Sequence, residues 1–114
     1  MTTELYALKI RRYLREARKR RNQKDFYAAG IFYKRAARTA YQAKKSAKRY
    51  ESMAIACFEK QVEDSLAIDK FSQAADAIEH IAKIREQNGD TQTAADLRLQ
   101  ASYLRLKGIE TLIA

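Results

Sequence analysis

His80 and Asp76 stand four residues apart, so on a helix they share a face, the spacing of an acid/base pair. His80 is the sole histidine of the 114 residues. No Ser or Cys nucleophile and no glycine-rich loop stands near it, so the spacing is that of a surface pair on a helix. Carboxylates gather at Glu59, Glu63, Asp64, Asp76 and Glu79. A di-iron bundle needs Glu-x-x-His from two helices, and three residues after Glu79 comes Ala82. There is no Walker loop, EF-hand loop or His-Glu-x-x-His pair. Cys57 is the lone cysteine and falls among apolar neighbours, as a small core residue does. We therefore expect no catalytic residue, no metal site and no cofactor, and a protein that binds rather than an enzyme.

The cations carry a stronger pattern. Lys9, Arg11, Arg12, Arg15, Arg18, Lys19, Arg20, Arg21 and Lys24 fall within sixteen residues and are opposed by Glu16 alone. Lys34, Arg35, Arg38, Lys44, Lys45, Lys48 and Arg49 continue the series. Residues 1–24 carry a net +7, residues 25–60 +5 and residues 61–114 −3, within a total of +9. A solvated helix face usually alternates the sign of its charges. This one does not, and it therefore repels itself and attracts anions.

The elements that must position these residues read as helices. There is no proline, so little interrupts a helix. Tyr6, Ile10, Tyr13, Leu14 and Ala17 repeat at helical spacing from Glu4 to Arg21, with Thr2 or Thr3 as cap. A second helix over about residues 25–45 places Phe26, Ala29, Gly30, Tyr33, Ala37, Ala40 and Tyr41 on one face, with Ala28, Phe32, Ala36 and Ala43 beside it. Ser46 can cap a third helix to about Asp64, and Asp69 a fourth carrying Phe71, Ala74, Ala75, Ile78, Ile81 and Ala82. Asn88-Gly89-Asp90 is a turn with the residue types that end one helix and cap the next. The last helix, Thr91 to Ile113, presents Ala94, Leu97, Ala101, Leu104, Gly108 and Leu112, widened by Ala95, Leu99, Leu106 and Ile109. The expected fold is all-α: one domain over 1–114, an antiparallel bundle or short helix-hairpin array of about five helices. Within it, 1–24 is the basic helix, 25–64 a first pair and 65–114 a second.

Phe26-Tyr27-Ala28-Ala29, Phe32-Tyr33, Ala36-Ala37 and Tyr41 resemble the first helix of a tetratricopeptide-like repeat, and more closely the longer helices of SNAP-type adaptors. Sliding the chain by 45 residues sets Phe26 on Phe71, Ala29 on Ala74, Ala37 on Ala82 and Ala56 on Ala101. The Trp, Leu-Gly and Pro positions of the full signature are absent, so no peptide-binding residue carries over. Residues 8–60 also bear a looser likeness to the three-helix MIT module. The resemblance implies stacked antiparallel helices and a docking role.

The reading is a non-enzymatic adaptor or scaffold that meets an anionic macromolecule through its basic N-terminal half, using the sixteen cations named above. Tyr27 is the aromatic expected to stand exposed beside them. Two alternatives remain open: a sequence-independent RNA- or DNA-binding protein, and a self-assembling subunit (a homo-oligomer) paired through the Tyr6/Ile10/Tyr13/Leu14 stripe. No apolar run approaches the length of a membrane span. The N-terminus lacks an apolar signal core, so the expected location is cytoplasmic.

Overall fold

A computed structural model describes residues 2–113, which form α1 (Thr3–Asn22), α2 (Phe26–Gln42), α3 (Lys48–Ala67), α4 (Phe71–Gln87) and α5 (Thr91–Ile113). The fold is all-α. The caps come from short polar side chains that satisfy the free amides of the first turn. Thr2 accepts from the Leu5 amide at 3.3 Å, Asp25 from Ala28 at 3.2 Å and Asp90 from Thr93 at 3.4 Å.

The first four helices end alike. In each, one residue turns left-handed just past the helix and the last carbonyls are closed by two backbone bonds, the Schellman arrangement. After α1 the amides of Lys24 and Asp25 bond the Arg21 and Arg20 carbonyls at 2.9 Å each; after α4, Gly89 and Asp90 bond Glu86 and Arg85 at 3.0 and 2.9 Å. The left-handed residues are Lys24, Lys44, Asp69 and Gly89, with φ of 62°, 57°, 57° and 83°. A glycine fills one of the four.

Helix bounds recur along the chain. α1 and α3 each have 20 residues and α2 and α4 each 17, and both pairs start 45 residues apart. The left-handed residues Lys24 and Asp69, and Lys44 and Gly89, keep the same interval. Burial follows: Ala29, Gly30, Tyr33, Ala36, Ala37 and Thr39 of α2 correspond to Ala74, Ala75, Ile78, Ile81, Ala82 and Ile84 of α4, all buried.

The chain forms two compact units, Met1–Cys57 and Phe58–Ala114, so the division falls within α3. In the first, α1 packs on α2, with Ala17 buried and the rings of Tyr13 and Phe32 6.4 Å apart. In the second, α4 packs on α5: Ala75 and Ile78 meet Ala101, with Val62, Leu97 and Leu104 against them. Among the described residues, twelve of the nineteen buried hydrophobic side chains are alanine, which lets helix axes approach closely.

Several local expectations are corrected. Asp69 does not cap α4; it holds the left-handed position closing α3, and the cap position falls to Lys70, which makes no side-chain cap bond. The hydroxyl of Ser46 starts no helix, because α3 begins at Lys48 with the Glu51 amide bonded to the Ala47 carbonyl. Tyr41 is 79% exposed although it keeps the apolar spacing, because it stands in the last turn of α2. Tyr27 is only half-buried rather than exposed. On α5, Leu112, Leu99, Leu106 and Ile109 are exposed, so only one of its two apolar stripes is used within the unit.

Candidate anion-docking surface

At 100° per residue, Arg11, Arg12, Arg15, Arg18 and Lys19 fall within an arc of about 120° on α1, facing away from Ile10, Tyr13 and Ala17. All five are exposed, as are Lys9, Arg21 and Lys24. The sequence folds this way because the apolar stripe of α1 faces α2, and the positions on the opposite arc are left to solvent.

None of the five forms an ion pair among the described residues. The exception within the run is Arg20, half-buried, whose Nε donates to Glu16 Oε1 at 3.0 Å and whose Nη1 lies 4.0 Å from Asp25 Oδ2. Its guanidinium also stands 6.0 Å from the centroid of Phe32, and Arg35 of α2 stands 5.2 Å from the same ring. Two cations that attract the π-face of one aromatic ring thus link the α1 and α2 parts of the basic surface.

Arg35 and Arg38 are exposed on α2 and Lys34 is half-buried there. Lys44, Lys45, Lys48 and Arg49 are exposed as well, but they cluster around the α2–α3 connection. The 17 residues of α2 separate them from Lys24 by about 25 Å along the helix axis. The structure therefore brings Arg20 of α1 and Arg35 of α2 to one ring and sets the second cluster at the far end of α2.

The second unit handles charge differently. Arg105 donates to Glu79 Oε1 at 2.6 Å and Asp76 Oδ1 at 2.9 Å, Arg98 to Glu86 Oε2 at 2.5 Å, and Lys60 lies within 3.4 Å of both Glu63 and Asp64. The hydrogen bond from Arg105 holds the Glu79 carboxyl below the usual carboxylate range, and that from Arg98 does the same for Glu86. Asp76 is thus engaged by Arg105, while the ring of His80 stacks on Phe58 with centroids 4.8 Å apart. Cys57 is buried, and burial pushes its thiol up, against a weaker opposing pull from the charge of Arg21. No group of three metal-ligating side chains gathers among the described residues.

The boundary between the units is also a boundary of charge. Residues 1–57 carry sixteen Lys and Arg against four Asp and Glu, a net +12; residues 58–114 carry seven against ten, a net −3. Sequence counts over arbitrary segments show the gradient, but only the ion pairs among the described residues show that Lys60, Arg98 and Arg105 of the second unit are matched by carboxylates while, of the α1 cations, Arg20 alone is. No helix among the described residues is long and apolar enough to cross a membrane.

Comparison with known proteins finds no matching family model, no matching curated protein and no matching solved structure.

Proposed function

We propose that the chain is a non-enzymatic helical adaptor that docks an anionic macromolecule through the solvent face of α1, with Arg35 at its margin. The observation that carries this reading is the set of five exposed, unpaired cations on one arc of a helix whose opposite face is spent on packing. Unbalanced positive charge destabilises an isolated surface by self-repulsion, and an anionic partner relieves it. Arginine predominates over lysine here, and its planar fork suits carboxylate and phosphate alike.

The predominance of arginine also favours a second reading, in which the anion is the backbone of RNA or DNA and is bound without base readout. Fluorescence anisotropy against a polyglutamate peptide, single-stranded RNA and duplex DNA, each at two salt concentrations, separates the two. The adaptor reading expects the acidic peptide to bind more tightly. The nucleic-acid reading expects affinity to fall roughly 10³- to 10⁵-fold between 50 and 200 mM salt if six to ten phosphates are contacted. Under either reading, Arg15→Glu with Arg18→Glu weakens binding by roughly 10- to 100-fold with unchanged helicity. Absence of binding to all three probes at low salt refutes the proposal.

A further inference from the structure

α5 carries a second apolar face that its own unit leaves uncovered. Leu99, Tyr103, Leu106, Ile109 and Ile113 are each between 55% and 81% exposed. They lie within an arc of about 120° whose centre is about 130° around the helix from Ala94 and Ala101, the two buried residues of α5. Together the five residues offer on the order of 600 Å², most of the roughly 800 Å² that each partner of a standard interface buries. That is the upper end of the roughly 300–600 Å² of the largest apolar patch on a typical monomer, a patch that often serves in binding.

The surrounding cations are already engaged elsewhere, and the flanking Asp96 accepts from Gln92 Nε2 at 3.1 Å. Arg98 and Arg105 are held by Glu86 and by Asp76 with Glu79, and Lys107 lies 5.3 Å from the ring centroid of Phe71. The stripe itself contains one charged residue, Glu110. An acidic partner thus finds no unengaged cation here, and a basic one finds only the carboxylates of Asp96 and Glu110.

The pattern is instead complementary to itself. We infer that this face of α5 pairs with the same face of a second copy of the chain, antiparallel about a two-fold axis at Leu106. That register sets Leu106 against Leu106 of the second copy, Tyr103 against Ile109, and Leu99 against Ile113. Ser102 then falls opposite Glu110, so the one charged residue of the stripe meets a hydroxyl that can donate to it. Moving the axis toward Tyr103 sets Glu110 against Leu99, and moving it toward Ile109 sets Glu110 against Leu106. A two-fold contact of this kind closes on itself and stops at the dimer.

Light scattering in about 0.5 M salt, where charge-driven association is screened, tests the inference apart from anion docking. The expected mass is twice the 13.2 kDa of one chain. Leu106→Asp places two carboxylates across the axis and is expected to weaken the dimer by roughly 30-fold or more. Leu106 is exposed, so the helicity should not change, and circular dichroism checks it. In a Cys57→Ala background, Leu106→Cys is expected to oxidise to a covalent dimer. Leu99→Cys alone should not, but should cross-link when mixed with Ile113→Cys. A monomer at high concentration overturns the inference, as does a dimer that survives Leu106→Asp or one that cross-links through Leu99→Cys alone.

Discussion

Replacing Lys24 or Lys44 with glycine removes a side chain from a left-handed residue without touching the core. Both lysines are exposed, with φ of 62° and 57°, and both close a helix through the same pair of backbone bonds. A residue with a Cβ loses about 1–2 kcal/mol in this conformation. Glycine escapes that cost but gives back about 0.4–1 kcal/mol through the freedom of the unfolded chain. The net expectation is a stabilisation of about 0.5–1 kcal/mol for each lysine. Asp69→Gly should yield less, because a short polar side chain tolerates the left-handed region better. The converse change is Gly89→Ala: a Cβ added at Gly89, φ 83°, meets nothing within 4 Å, so its cost of about 1 kcal/mol is backbone conformation alone. Urea unfolding followed by circular dichroism measures all four, with the midpoint moving and the slope constant. Lys24 and Lys44 lie about 25 Å apart along α2, so their effects should add. If Lys24→Gly lowers stability, or Gly89→Ala raises it, the shared closure of the helices is wrong.

Two further outcomes follow from buried and paired groups. Tyr33 is fully buried, and its hydroxyl has no hydrogen-bond partner among the described residues. Tyr33→Phe is therefore expected to stabilise the fold by up to about 1 kcal/mol, and a loss of that size in urea unfolding would show that the hydroxyl is satisfied. The Glu79 carboxyl is lowered by Arg105, so its contribution is complete above the ordinary carboxylate range and is lost as pH falls through the lowered value. Arg105→Gln should thus cost roughly 0.5–1 kcal/mol near neutral pH, in line with partly exposed pairs, and progressively less as the pH falls below the ordinary carboxylate range. A difference from the parent chain that does not shrink as the pH is lowered contradicts this account.

The helices were legible because helical periodicity and the absence of proline are strong, local signals. α5 starts and ends where Asn88-Gly89-Asp90 and the last apolar residues place it, and the 45-residue interval seen in Phe26 and Phe71 reappears in the helix bounds. Caps were less legible. Asp69 has the composition of an N-cap, yet the same short side chain also suits the left-handed residue closing the preceding helix, and only backbone hydrogen bonds distinguish the two roles. Periodicity also reports that a face is apolar without reporting whether a neighbour covers it. That is why both stripes of α5 read as core, and why Tyr41 did. The cationic surface was visible as composition; that its α1 arc is unpaired while Arg98 and Arg105 of α5 meet carboxylates of α4 depends on distances between side chains.

The twelve buried alanines make the fold vulnerable in one direction. A core of leucines fails by truncation, each lost methylene leaving a void. Here most interior side chains have almost nothing left to lose, and the principal hazard is enlargement, which forces apart backbones that the methyl groups had allowed to meet. Substitution at Ala29, Ala36, Ala74 or Ala82 should therefore be tolerated toward glycine or serine more readily than toward valine or leucine. Over long divergence such a chain would hold its interior composition nearly fixed while its solvent faces drifted freely. Relatives would then share a scaffold of small residues that sequence comparison weighs lightly.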